Sequence, residues 1–217
     1  MIKIIKRMFR AFSKKDIPFD TSKHYWEERY KSGGNSGDGS YGRLATFKAE
    51  IINNAINEYS IKSAIELGCG DGNQLKQLLY PSYIGLDISE SVIARCNKIF
   101  SQDKSKRFMI NSEEVVEQLI RTEQFDLALS IDVIYHLVEF EVFETYLKNL
   151  FTLSDKFVII YSTDFDKKEA AHVIHRKFTD WVASHRLDWE LISEILNPYP
   201  GVGEQESLAN FYVFKKK

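Results

Sequence analysis

The 217-residue sequence predicts an α/β fold, built on a seven-stranded sheet of five parallel βα steps followed by an antiparallel edge pair. Three observations point there. Short apolar runs alternate with stretches of helical periodicity; a glycine-rich turn, GCGDG, directly follows the first run; and the last two runs have no helical pattern between them.

Taken in order, the chain opens on MIKIIKRMFRAFSKK, which holds Lys3, Lys6, Arg7, Arg10, Lys14 and Lys15 and no acid. Ile2, Ile5, Phe9 and Phe12 recur at helical spacing, so a helix here has one apolar stripe with basic flanks. Two readings follow: contact with an anionic membrane, or packing on the protein's own domain or a partner. HYWEERYKSGG (24–34) and GSYGRLATFKAEII are expected to form N-terminal helices, joined by the glycine-rich stretch 31–42, which suits neither helix nor strand. Strands are expected at 63–67, 82–88, 107–110, 125–131 and 156–162, with helices near 73–80, 89–99, 112–121 and 139–152. A helix over 168–185 then leads to strands WELISEIL and NFYVFK, which pair antiparallel at the sheet edge.

Composition narrows the function classes. A formal net charge of -2 disfavours a nucleic-acid partner. Cys69 and Cys96 form no disulfide or metal-binding pattern, and no signal-peptide pattern or apolar run of the roughly 20 residues a membrane span needs is present. A reduced, cytoplasmic setting is expected, at most peripheral to the inner face of a membrane.

The glycine turn carries the chemistry. In a parallel sheet ligands bind at the carboxyl ends of the strands, and glycines there allow close approach to the backbone. A dinucleotide enzyme uses G-x-G-x-x-G to seat a pyrophosphate, which an adjacent acid would repel. Here the spacing is G-x-G-x-G, with Glu66 before it and Asp71 inside it, which suits a neutral or cationic ligand.

ELGCGDG and IGLDIS resemble the first and second motifs of class I S-adenosylmethionine-dependent methyltransferases, a Rossmann-like family. The resemblance spans roughly residues 25–215 and implies S-adenosyl-L-methionine as cofactor. Residues 1–22 then form the basic segment and 23–217 one domain, with a lid (23–60), a cofactor-binding half (61–162) and a substrate-side helix with the final strands (163–217).

By position in the family, Gly68, Cys69, Gly70 and Gly72 wrap the cofactor's amino-acid portion, Glu66 orients its ammonium, and Asp87 accepts both ribose hydroxyls. Asp71 either joins them or stabilises a helix start. Asn111 and Ser112 face the adenine or cap a helix, and Ile88 and Ile131 sandwich the adenine or complete the core. LSIDVIYHL resembles the fourth motif and directs Asp132, Tyr135 and His136 toward the methyl group; the resemblance counts Asp132 with the cofactor ligands and makes Tyr135 and His136 catalytic candidates, with His136 the first choice of general base. Tyr25, Trp26, Tyr30, Tyr41 and Arg43 are lid candidates for contact with cofactor or acceptor, Tyr41 also for catalysis.

His172, His175 and Arg176 are expected on one helical turn facing the acceptor, with Arg176 able to fork onto a phosphate; no metal is expected. YWEERY, GSYGRLATFK, ELGCGDGNQL and HRKFTDWV together resemble bacterial methyltransferases of surface-polysaccharide synthesis, including those that modify capsule phosphoramidate groups. The expected reaction is O-methylation of a small, polar, anionic acceptor. N-methylation of a small amine, a non-catalytic S-adenosylmethionine-binding protein and a NAD-dependent oxidoreductase remain the alternatives.

Overall fold

The computed structural model describes residues 19–217. The basic segment read at residues 1–15 lies outside them. Strands β1 (Ala64–Leu67), β2 (Tyr83–Asp87), β3 (Lys106–Ile110), β4 (Phe125–Ile131) and β5 (Ser154–Ser162) pair in parallel; β6 (Lys167–Ala170) and β7 (Val173–His175) form a separate hairpin. The chain ends with β8 (Trp189–Ile195) and β9 (Asn210–Lys216), and the main sheet has the order β3-β2-β1-β4-β5-β9-β8. β9 runs antiparallel to both of its neighbours, as expected for the edge pair. Because the chain leaves β1 toward β2 and returns on the other side at β4, a crevice opens at the carboxyl ends of these strands.

The helices are α1 (Ser22–Lys31), α2 (Gly42–Glu58), α3 (Glu90–Ile99), α4 (Glu113–Thr122), α5 (Phe140–Thr152) and α6 (Phe178–His185). Strand alternation divides the core into two layers. Leu127, Leu129 and Ile131 of β4 pack with Ile52 of α2 and Val92 and Cys96 of α3, while Ala128 joins Leu119 of α4, Leu147 and Leu150 of α5 and Phe178 of α6. Each fully buried large aliphatic side chain contributes about 1.5–3 kcal/mol. In β1 the same alternation sends Ile65 and Leu67 to the α4–α5 side. Glu66 between them therefore faces the α2 side.

Two expected helices take other forms. The stretch 73–80 holds only a 3₁₀ turn at Gln74–Gln77. Pro81 disfavours helical backbone at Tyr80, and Asn53 of α2 grips the extended chain by donating to the Gln77 carbonyl and accepting from Leu79 N–H. The stretch 168–185 begins as the β6–β7 hairpin, where β-branched Val173 and Ile174 favour pairing, and only Phe178–His185 is helical.

Candidate active site

At the strand ends lies a cleft of about 1420 Å³. The turn after β1 forms its floor. Gly68, Gly70 and Gly72 have φ of 85°, 57° and 73°, a region that side chains disfavour. The Cβ side of each is filled by the protein itself: Val133 at Gly68, Ser36 and Tyr30 at Gly70, and Phe100 with Cys96 at Gly72. The glycines therefore admit the lid and the post-β4 turn as well as leaving the backbone open to the cleft. Cys69 lines the cleft, and the Cys96 thiol donates to the Gly70 carbonyl at 3.2 Å.

Two buried carboxylates stand at neighbouring strand ends and line the cleft. Asp87 Oδ2 accepts from Gly70 N–H and Oδ1 from Ser89 N–H, both at 3.0 Å. Burial raises its pKa to about 6 despite those bonds. Each oxygen keeps a lone pair for a further donor. Glu66 accepts from Tyr83 at 2.6 Å, and burial, partly offset by Tyr83 and Lys48, lifts its pKa to about 7.

Asp71 lines the cleft and is also tied into a local hydrogen-bond network. Its Oδ2 accepts from Ser36 N–H (3.1 Å) and the Tyr41 hydroxyl (2.7 Å), its Oδ1 from Asn73 N–H, and its own N–H donates to Ser36 Oγ (2.9 Å). Burial opposes its charge, but the bonds from Tyr41, Asn73 and Ser36 outweigh that and hold the carboxyl below its usual range. Asp71 thus fastens the lid loop to the glycine turn. No α-helix starts here for it to stabilise.

Tyr41 is committed to that bond. Burial and Asp71 push its pKa up to about 12, and it does not line the cleft, so the expected catalytic contact is replaced by a latch. Trp26 and Tyr30 of α1 do line the cleft, whereas Tyr25 stacks on His172 at 4.7 Å outside it. α1 is pinned at its start and at its middle. Its Glu27 accepts from the Ser89 and Ser91 hydroxyls (2.5 and 2.6 Å), and the Ser22 hydroxyl bonds His136 O (2.8 Å) and Glu139 (2.7 Å).

Ile88, Asn111, Ser112 and Ile131 line the cleft beyond Asp87; Ser112 also caps α4 by accepting from Val115 N–H. At the end of β4, Asp132 adopts a left-handed φ of 60° and lines the cleft with His136. Tyr135 does not line it. Its hydroxyl donates to Asp132 Oδ1 at 2.8 Å, and burial together with that carboxylate drives its pKa well above 10, which removes it as a base. His136 Nδ1 lies 3.2 Å from the His172 carbonyl, which only accepts, so Nδ1 carries the hydrogen and Nε2 the lone pair. Burial lowers its pKa to about 4, so the imidazole is neutral near pH 7.

The expected acceptor group is dispersed. His172 sits in the β6–β7 turn, and His175 on β7 is buried between Thr163 (2.7 Å) and Glu169 (3.3 Å). Arg176 donates to the carbonyls of Leu137 (2.5 Å) and Val138 (2.6 Å) with its guanidinium over Phe143. It clamps the chain after His136 and leaves no fork for a phosphate. Arg43 is likewise engaged, donating to Gln205 O at 2.7 Å and stacking on Tyr199, away from the cleft. Lys48 is the residue that sequence reading missed. It is fully buried, yet its position within the apolar stripe Leu44, Ala45, Ala49, Ile52 of α2 marked it as a misfit.

Residues 60–199 match a protein family described as a methyltransferase domain. Among solved structures, the N-methyltransferase NodS from Bradyrhizobium japonicum WM9, crystallised with S-adenosyl-L-homocysteine, is similar with a TM-score of 0.67 at 11% identity, over 91% of this chain and 99% of that chain. A putative O-methyltransferase from Klebsiella pneumoniae gives 0.62 at 13%, over 99% and 96%. The small RNA methyltransferase HEN1 gives 0.63 at 18%, over 82% of this chain and 26% of that one. No curated protein matches the chain. At these identities the structural likenesses establish the shared fold. The family match reaches from the strand before the glycine turn through β8, well over half of the chain, and the protein belongs to the methyltransferase domain family.

Proposed function

We propose that this methyltransferase uses S-adenosyl-L-methionine to O-methylate a small polar acceptor of the sugar class, in the service of surface-polysaccharide synthesis in the cytoplasm. The observation that carries the cofactor reading is Asp87, a cleft carboxylate with free lone pairs bound to the glycine turn through Gly70 N–H. Those lone pairs suit a pair of ribose hydroxyls, Glu66 suits an ammonium, and Asn111 with Ile88 and Ile131 suits the adenine edge and faces. When bound, the cofactor supplies a methyl group already activated on a sulfonium. Positioning of the acceptor then supplies most of the gain, on the order of 10⁵ to 10⁸ M in effective concentration. His136 Nε2 takes the proton that the acceptor hydroxyl loses, a contribution of roughly 10² to 10⁴.

The sugar assignment draws its support from the longer motifs around Tyr25, Tyr41 and Arg176. The cleft's charge narrows it. Glu66, Asp71, Asp87, Glu113, Glu117, Asp132, Glu139 and Glu141 line the cleft against Lys23 and Lys148, so an uncharged acceptor fits better than the anionic one expected. The same excess of carboxylates favours a second reading, N-methylation of a small amine. The fold is shared with an RNA methyltransferase, so RNA belongs among the acceptors tested.

Calorimetric titration with S-adenosylmethionine, S-adenosylhomocysteine and NADH, beside Asp87→Ala, tests the cofactor. Micromolar binding of the first two, lost in the variant, supports it; NADH binding alone overturns it. Transfer of a labelled methyl group to sugars, sugar nucleotides, phosphorylated compounds, amines and RNA then decides the acceptor, and turnover on none of them favours a non-catalytic binding protein. For residues 1–15 we propose peripheral contact with an anionic membrane, which fails if the full chain and one lacking them both stay unpelleted with anionic liposomes.

A further inference from the structure

Lys48 is the one fully buried lysine among the described residues. It projects from α2 toward the ends of β1 and β4. Its Nζ donates to Asp132 Oδ2 at 2.5 Å and lies 5.2 Å from the centre of the Tyr161 ring, and the same charge acts on Glu66 one strand away. The other oxygen of Asp132 takes the Tyr135 hydroxyl. A carboxylate has about four acceptor sites, so two remain unused. The lid loop rests on this group: a Cβ at Gly39 would stand 2.8 Å from Asp132 Oδ2.

Stability alone does not account for the pair. Removing two charges from water costs several kcal/mol per ion, and a well-packed apolar pair of similar volume commonly does as well or better. The backbone of Asp132 adds to that cost, since a left-handed φ on a residue other than glycine is uncommon. Both expenses fall on one residue, at the end of β4, on the cleft wall and beneath the lid.

We propose that Lys48 is a positioning residue that holds the Asp132 carboxylate aimed into the cleft at the point of methyl transfer, where it accepts a hydrogen bond from an incoming amine or from a second hydroxyl of the acceptor, beside the one that is methylated. The proposal rests on the methyltransferase reading of the cleft and assigns Asp132 to the acceptor side, where sequence reading had grouped it with the cofactor ligands. Lys48 acts only through Asp132. Asp132 supplies orientation, and the proton itself leaves through His136.

An acceptor-independent probe tests this. Sinefungin carries an amine-bearing carbon in place of the methylated sulfur, with the amine, protonated at neutral pH, where the methyl group would stand, so its affinity relative to S-adenosylhomocysteine reads the charge at the transfer point. Wild type, Lys48→Arg and the double variant Lys48→Met/Asp132→Asn are titrated with both compounds; the double variant removes both charges together, so neither is left buried alone. Expected is a sinefungin preference kept by Lys48→Arg and reduced about tenfold or more in the double variant, with S-adenosylhomocysteine affinity held within about threefold. An unchanged preference overturns the proposal. So does loss of both ligands from a folded double variant, which would make the pair a structural support. If wild type binds neither compound, the cofactor reading falls first and the proposal with it.

Discussion

The hydroxyl of Tyr41 donates to Asp71 Oδ2 across 2.7 Å, and this bond joins the loop before α2 to the glycine turn after β1. Ser36 adds a reciprocal pair, giving its N–H to Asp71 Oδ2 and taking Asp71 N–H on its hydroxyl. The lid is thus held to the backbone that the cofactor must approach.

Tyr41→Phe deletes one hydrogen bond to a charged group, worth about 1.5–3 kcal/mol locally. The expected result is faster proteolytic cleavage within residues 31–42, by roughly tenfold, with a melting temperature within about 2–4 °C of wild type. The protease time course checks it. Equal cleavage rates would mean that Ser36 alone keeps the loop closed.

Glu66 gives a pH signature. Its carboxyl titrates at about 7 in the folded chain against a usual value of 4.5, so between those values the folded state holds more protons than the unfolded one. Stability attributable to Glu66 therefore falls as pH rises through that window. His136 works in the opposite direction: with its pKa lowered to about 4 from 6.5, folding releases a proton there and stability rises with pH. Glu66→Gln should remove the first slope and keep the second, gaining on the order of 2–3 kcal/mol over wild type at pH 8 relative to pH 4.5. Denaturant melts at the two pH values measure it. In wild type, binding of the cationic cofactor should also weaken below pH 7 as Glu66 takes up its proton, an effect absent from the Gln variant.

Arg176→Ala removes two charge-assisted bonds to the Leu137 and Val138 carbonyls and the stack on Phe143, and should cost about 2–4 kcal/mol. Arg176→Lys should recover little of that loss, because an ammonium cannot fork onto both carbonyls as a guanidinium does. Thermal melts of the two variants check this. A normal melting temperature in Arg176→Ala would return this residue to the role of free anion receptor.

These residues also mark how far the sequence could be read. β1, β2, β4 and β5 were legible because apolar runs record strands buried on both faces, and Asp87 because its distance from the glycines is set by one strand and its crossover. The turn at 74–77 was not, since Asn53 holds it from another helix. Lys168, Glu169 and Ala170 have helical preferences that pairing with β7 overrides. The partners of Arg176 are backbone carbonyls 38 and 39 residues away, which leave no trace in side-chain pattern. Lys48 did leave one: a lone cation in a buried apolar stripe requires an anion within reach, and only the identity of Asp132 awaited the fold.

His136 is the residue proposed as general base. Its Nδ1 is fixed by the His172 carbonyl and its ring is packed by Trp26 at 4.9 Å, so the Nε2 lone pair is oriented without a charge on the ring. The imidazole has its lowered pKa of about 4 because burial penalises the cation, so it is in the proton-accepting form throughout the neutral range. With the cofactor saturating, kcat should then show no acid limb near the ordinary histidine value of 6.5. His136→Gln keeps a polar side chain of similar size but accepts no proton. For a hydroxyl acceptor it should lose roughly 10² to 10⁴ in kcat, with S-adenosylhomocysteine affinity unchanged within about threefold. For an amine that reaches the site uncharged, the loss should be under about tenfold, because the proton can leave after transfer. The size of the His136→Gln effect, measured beside calorimetric affinity, therefore separates the two acceptor classes; a parallel loss of cofactor binding would instead place His136 among the groups that hold α1 over the cleft.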